Sequence, residues 1–469
     1  MKNQTIAAIS TPFGRGGIAV IRISGEKAFE IADKMFFPIS GKKLAETDPN
    51  TAVYGKIFSD GTHIDDGVAV VFRAPRSFTG EDTVEISCHG GILLTERVLK
   101  TAFTSGAFPA GAGEFTERAF LNGKISLTEA EAVIGLIDAE SEEKLSLCAS
   151  HASGVLKRRT DEIYASVLRL LSSVYVGLDY PEEDLEEVSD VEFIASLKDI
   201  YARLSETADT YREGKAVAEG VKTVLLGKPN TGKSSLLNAW LCEDRAIVTD
   251  IPGTTRDVIE EKVSAGRIML RLCDTAGIRQ SADEVERIGI EKAVKKAEEA
   301  ELIIALFDLS RDIDGEDSFI CDGLRGYAEK GRSVIAVFNK CDLDDGNDVF
   351  SARERAVTDM LPPDTEICRI SAKNGDGLER LKKAAEELFV SGHTDYSQTA
   401  VIANARQFSA VCSARDAVLD AITAFESGVG SDVCGMDLER ALASLGEVDG
   451  RAVSEEITSE IFKNFCVGK

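Results

Sequence analysis

The chain has 469 residues, 43% of them hydrophobic, and a formal net charge of −26. That length exceeds a single hydrophobic core, so two to four domains are expected, and no run approaches the roughly 20 apolar residues of a membrane-spanning helix. The acidic balance argues against a broad surface that tracks nucleic-acid phosphates, so any RNA contact should be local or supplied by a partner; a charge serving only solubility is an equal reading.

Residues 1 to about 120 alternate strand-like runs with turns, as in Ile18–Ile23, Val53–Phe58, Val68–Phe72 and Val84–Cys88. A small α/β domain is expected there. From about residue 125 to 218 Gly and Pro become scarce, and the apolar spacing of Val167, Leu168, Leu171, Val174 and Tyr175 is helical, with Pro181 ending one helix. The run Val224-Leu225-Leu226 then delivers Gly227-Lys228-Pro229-Asn230-Thr231-Gly232-Lys233-Ser234, and Ser235 opens a helical pattern through Trp240. A strand ending in a Gly-rich turn lets successive backbone N–H groups face an anion, while the next helix offers its positive N-terminal end. This is a phosphate-binding loop, in which Lys233 would reach the β- and γ-phosphates and the Ser234 hydroxyl would hold Mg²⁺.

The segment Thr249-Asp250-Ile251-Pro252-Gly253-Thr254-Thr255 is a Gly/Pro-broken polar loop of the kind that orders around Mg²⁺ and a γ-phosphate, with Thr255 the candidate second metal ligand. The strand-like Leu270–Cys273 leads to Asp274-Thr275-Ala276-Gly277. Asp274 would lie in the outer shell of the metal, and Gly277 would donate its N–H to the γ-phosphate. Ile278 follows, where Ras-like enzymes place a water-orienting Gln. An isoleucine cannot orient water, so an acid in the next loop or a partner must do so.

The buried-strand pattern Val334–Phe338 ends in Asn339-Lys340-Cys341-Asp342, and Glu366–Ile370 ends in Ser371-Ala372-Lys373. Asp342 can accept from the N1 and N2 edge of guanine, which adenine cannot offer, while Ser371-Ala372-Lys373 resembles the element that supports the guanine ring. GTP is therefore the expected nucleotide. The remainder is helical through Leu378, Leu381, Ala385 and Leu388, and on to Ile457, Ile461 and Phe462.

Three stretches outside the GTPase motifs resemble the MnmE (TrmE) family of tRNA modification GTPases. They are Thr11-Pro12-Phe13-Gly14-Arg15-Gly16-Gly17, the run from Gly113-Glu114-Phe115 to Asn122-Gly123-Lys124, and the final Cys466-Val467-Gly468-Lys469. The resemblance implies a multidomain α/β plus all-α protein. Its parts would be an N-terminal α/β folate-binding and dimerisation domain over 1–122, a helical domain over 123–218 and 381–469, and a Ras-like P-loop GTPase domain inserted at 219–380. It also implies a potassium-stimulated, homodimeric GTPase acting with the flavoprotein MnmG (GidA) on the wobble uridine of certain tRNAs. The one-carbon donor would be 5-formyltetrahydrofolate or methylenetetrahydrofolate.

By position, Arg22, Glu85, Lys124 and Lys469 match the folate-contacting residues, and Asn230, Thr249, Ile251 and Thr254 match the potassium site. Ser234 and Thr255 match the magnesium ligands, Glu286 the catalytic acid, and Cys466 a tail residue needed for modification. Thr231, Gly232, Lys233, Ser235, Asp250, Pro252, Gly253, Thr275, Ala276, Asn339 and Lys340 would complete the GTP contacts. The chain departs from the family pattern at Ala110-Gly111-Ala112, where an Ala-x-Pro run is usual, and at Ser126, where an acid is usual; a looser loop is expected there.

Ten cysteines without a Cys-x-x-Cys pair and an N-terminus unlike a signal peptide suggest a cytoplasmic location. A second reading is an RNA-binding GTPase of the Era type acting in ribosome assembly. Such proteins normally carry a basic RNA-binding domain, whereas this chain has acidic helices and the Cys-Val-Gly-Lys tail.

Overall fold

In strand β2 (Ile18–Ser24) the residues Ala19, Ile21 and Ile23 are buried, while Val20 and Arg22 take the opposite face. That period of two places the apolar side on a core and leaves the other side for polar groups. A computed structural model describes all residues except 1–3, 180–188, 245–260, 274–297, 345, 347, 391, 393, 429–430, 464 and 469. The chain divides into two compact units, one of Met1–Asp138, His151–Tyr201 and Ser413–Lys469, the other of Ala139–Ser150 and Ala202–Cys412.

The first unit carries a seven-stranded sheet. Its strands are β1 (Ile6–Ile9), β2, β3 (Phe36–Pro38), β4 (Thr51–Ser59), β5 (Thr62–Phe72), β6 (Thr83–His89) and β7 (Phe108–Pro109). They lie in the order β3-β4-β5-β6-β2-β1-β7, antiparallel except for the β1–β7 pair. The helices Ala28–Met35 and Ile92–Thr104 close the core by packing Ile31, Met35, Val98 and Ala102 against Ile21, Ile57, Val71 and Ile86. Elsewhere in this unit the helices Val155–Asp179 and Ser431–Asp449 pack together, with the Tyr175 hydroxyl donating to Glu439. Val167, Leu171 and Val174 are buried on that long helix, as their spacing predicts, but Leu168 and Tyr175 face outward. The apolar stripe is thus narrower than the sequence pattern.

Ser126 caps the helix Leu127–Ile137. Its hydroxyl accepts from the Glu129 N–H, and the Glu129 carboxylate accepts from the Ser126 N–H. Such reciprocal caps stabilise a helix start by about 1 kcal/mol. The expected loosening at this position is therefore absent: serine ties the loop down as a helix cap.

The second unit holds a six-stranded sheet of β8 (Val221–Leu226), β9 (Glu261–Ala265), β10 (Ile268–Leu272), β11 (Leu302–Asp308), β12 (Ser333–Asn339) and β13 (Glu366–Arg369). Its order is β13-β12-β11-β8-β10-β9, parallel apart from the β9 edge. Every residue of β11 is buried, because helices cover both faces of a parallel sheet. One core gathers Leu236, Leu237 and Trp240 with Leu270 and Ile304; the other gathers Cys321 and Leu324 with Phe307 and Phe338. Loops from the carboxyl ends of β8, β12 and β13 consequently meet on one edge, where open α/β sheets bind ligands.

Candidate functional site

β8 ends at Leu226, and the chain turns through residues 227–232 before the helix Lys233–Asp244 begins. Gly227 and Gly232 have φ of 148° and 101°, and Asn230 is left-handed at 63°. A side chain on Gly232 would place its Cβ 2.0 Å from Asn339 Nδ2, so this glycine is required for close approach. Lys233 Nζ donates to the carbonyls of Gly227 at 2.6 Å and Lys228 at 2.7 Å. Burial pushes its ammonium down to about 8. Facing anionic phosphates would favour its charged form.

Asn339 is 2% exposed and ties the loops together. Its Nδ2 donates to Thr231 O at 2.7 Å, and its Oδ1 accepts from the Ala372 N–H at 3.0 Å. One side chain thus fixes the phosphate loop against Ser371-Ala372-Lys373. Ser371 Oγ donates to Asp342 Oδ1 at 2.7 Å and orients that carboxylate. Lys340 is left-handed at φ 64°, with its Nζ 2.5 Å from Asp308 Oδ2. Burial works to raise Asp308, but Lys340 and the bonds from Ser310 outweigh it and hold the carboxyl below its ordinary value.

The structure therefore brings Thr231, Gly232, Lys233, Asn339, Lys340, Asp342, Ser371 and Ala372 into one edge site. Asn230, Ser234, Ser235 and Lys373 are exposed around it. Thr249–Thr255, Asp274–Gly277, Ile278 and Glu286 lie outside the described residues, as do Pro181 and Lys469.

A second constellation lies in the first unit. Arg22 and Glu85 are directly opposite on β2 and β6, joined at 2.8 Å from Nε to Oε1 on the face away from the core. The Arg22 guanidinium also sits 5.3 Å from the Phe78 ring centroid and 5.4 Å from that of Phe115. Lys124 Nζ donates to Pro75 O at 2.8 Å, and its Cγ lies 3.2 Å from the Cβ position of Gly80, in the same 75–82 loop as Phe78. The C-terminal tail reaches a neighbouring loop: Gly113 N donates to Cys466 O at 3.2 Å, Val467 bridges Ala112, and Ser10 Oγ donates to Gly468 O at 3.0 Å. Cys466 is exposed. Sequence reasoning omitted Phe78 and Phe115, which flank the Arg22 guanidinium from separate segments and so leave no local pattern.

Residues 5–124 match the family model described as GTP-binding protein TrmE N-terminus, and residues 127–466 match the MnmE helical domain. The chain is 39% identical to the tRNA modification GTPase MnmE of Bacillus licheniformis over 99% of this chain and 100% of the relative. It is also 39% identical to that of Clostridioides difficile over 100% of this chain and 99% of the relative. Among solved structures, Aquifex aeolicus Era bound to GDP.AlF4- aligns at 25% identity over 42% of this chain and 66% of that one, with a TM-score of 0.29. The FeoB G-domain of Methanococcus jannaschii aligns at 22% identity over 35% and 95%, with a TM-score of 0.24.

Proposed function

The chain belongs to the MnmE family and is a GTP hydrolase acting in tRNA modification, and from that premise we propose that its turnover is stimulated by potassium and coupled to folate-dependent chemistry on the wobble uridine. The product is a 5-carboxymethylaminomethyl or aminomethyl group, formed by a homodimer working with the flavoprotein MnmG. Its domains are the N-terminal one over 1–122, the helical one over 123–218 and 381–469, and the GTPase domain over 219–380. The observation that carries the GTP assignment is the Asn339 brace, which couples the phosphate loop to the loop steering Asp342.

In this reading Lys233 and the backbone N–H groups of 230–235 hold the phosphates, while Asp342 accepts from guanine N1–H and N2–H. Ser234 and Thr255 hold Mg²⁺. Asn230, Thr249, Ile251 and Thr254 hold K⁺, which takes the place that an arginine finger has in other GTPases. The exposed, left-handed position of Asn230 suits a side-chain oxygen offered to a hard cation. Glu286 replaces the missing water-orienting Gln.

The donor set around Arg22 fits a folate. Arg22 and Lys124 can pair with glutamate carboxylates, Glu85 can accept from pterin N–H groups, and the exposed Phe78 offers a ring edge while the buried Phe115 supports the Arg22 guanidinium. Lys469, outside the described residues, joins them by its place in the sequence. A bound folate supplies the one-carbon unit. Arg22 and Glu85 hold each other oriented for it, and the tail brings Cys466 to the neighbouring loop.

GTP turnover measured in KCl is expected to exceed that in NaCl of equal concentration by about 10²-fold, below the 10³–10⁵ of an arginine finger because K⁺ forms no directed hydrogen bonds. Equal turnover in the two salts would rule out a bound potassium.

A further inference from the structure

On one side of the loop that receives the tail lies a partly buried ionic clamp. Arg118, 9% exposed, donates from Nη1 to both carboxylate oxygens of Glu81 at 3.2 Å. Its Nε and Nη2 meet Glu114 Oε1 at 3.2 and 2.7 Å. Neither acid is left to one partner: Ser24 Oγ donates to Glu81 Oε2 at 2.8 Å, and the Gly111 N–H donates to Glu114 Oε2 at 2.8 Å. A rigid guanidinium fork can satisfy two carboxylates in fixed directions, which a lysine cannot.

The Gly111 bond transmits this geometry to the tail. Residues 111–113 are fixed at Gly111 by Glu114, present Ala112 to Val467, and direct the Gly113 N–H at Cys466 O. Gly113 has φ 61°, and a Cβ there would lie 2.7 Å from Phe465 Cβ, so loop and tail are in close contact. Phe465 is buried with Leu127, Ala130 and Phe462, which anchors the tail from the other side.

We propose that Arg118 is a positioning residue for Cys466: with Glu81 and Glu114 it forms a clamp that holds loop 111–113 as the docking edge for the C-terminal tail, and through it sets where the Cys466 thiol stands. The consequence for modification rests on the role assigned to Cys466 above; the docking itself does not.

The test is hydrogen exchange on the full-length chain, with modification assayed in the complete system. In Arg118→Met the Gly113 amide is expected to exchange at least about tenfold faster while β2 and β6 stay protected. GTP turnover should hold, and wobble-uridine modification should fall at least about tenfold. Arg118→Lys, able to meet one carboxylate at a time, should fall between. Unchanged Gly113 exchange in Arg118→Met would overturn the proposal. Should Arg118→Met lose protection across the whole sheet, Glu114→Ala decides. It leaves Arg118 paired with Glu81, and it must speed Gly113 exchange or the clamp is refuted. Cys466→Ser, measured alongside, separates the two ideas: normal modification in that variant would sink the thiol's role while leaving the exchange result to judge the clamp.

Discussion

Replacing Asp342 with Asn is expected to weaken GTP binding by on the order of 10²–10⁴-fold, because two hydrogen bonds to a charged acceptor, about 1.5–3 kcal/mol each, give way to one neutral bond and a pair of opposed donors. The carboxylate is held by Ser371 Oγ, so its acceptor edge is set before any base arrives. Guanine offers donors at N1 and N2, and a carboxylate answers both. An asparagine answers one and turns an NH₂ group toward the other, leaving two donors facing each other. Xanthine carries a carbonyl where guanine has its amino group, so xanthosine triphosphate should become the better ligand of Asp342→Asn. The Asn339 brace is untouched by this change, and the thermal unfolding midpoint should stay within about a degree or two of the parent. Titration calorimetry with both nucleotides checks this. Undiminished GTP affinity would place the base elsewhere.

Gly232→Ala should be as severe for a different reason. Its φ of 101° is a backbone state that costs an L-residue roughly 1–3 kcal/mol, and the new Cβ would lie 2.0 Å from Asn339 Nδ2. Asn339 must then swing away, orphaning the Thr231 carbonyl and the Ala372 N–H at about 1–3 kcal/mol for each buried group. Together these effects reach several kcal/mol, a large share of what an ordinary domain has to lose. Both thermal stability and nucleotide binding should drop, the latter by at least about 10²-fold. Gly315→Ala serves as the control. It sits at a helix start with nothing near its Cβ position, and it should change stability by no more than about 0.5 kcal/mol.

The parts of the fold that depend on local repetition were legible. β2, β4, β6 and β12 fall where period-two and continuous apolar runs place them, because burial on one or both faces leaves a direct mark on composition. β5 extends back to Thr62 through the polar stretch Thr62–Gly67, since hairpin pairing with β4 across Asp60-Gly61 holds it without apolar alternation. β1, β3 and β7 span two to four residues, too short to show any period.

The nucleotide site was readable for a related reason. Lys233, Asn339 and Asp342 each lie within a contiguous loop whose order along the chain carries the chemistry. The brace from Asn339 to Thr231 spans 108 residues, and Arg118 meets Glu81 across 37, so neither contact leaves a trace in local sequence. Folding the sheet is what supplies them. Ser126 taught a further lesson: its departure from the family's acidic pattern reads as a loss, but the structure uses it as a helix cap.

The most direct measurement is nucleoside analysis of tRNA from cells lacking this chain, with the wild-type gene restored as control. The account predicts that wobble uridines lose their aminomethyl-type substituent at C5 and regain it on restoration. Unchanged wobble uridines in the absence of the chain would contradict it.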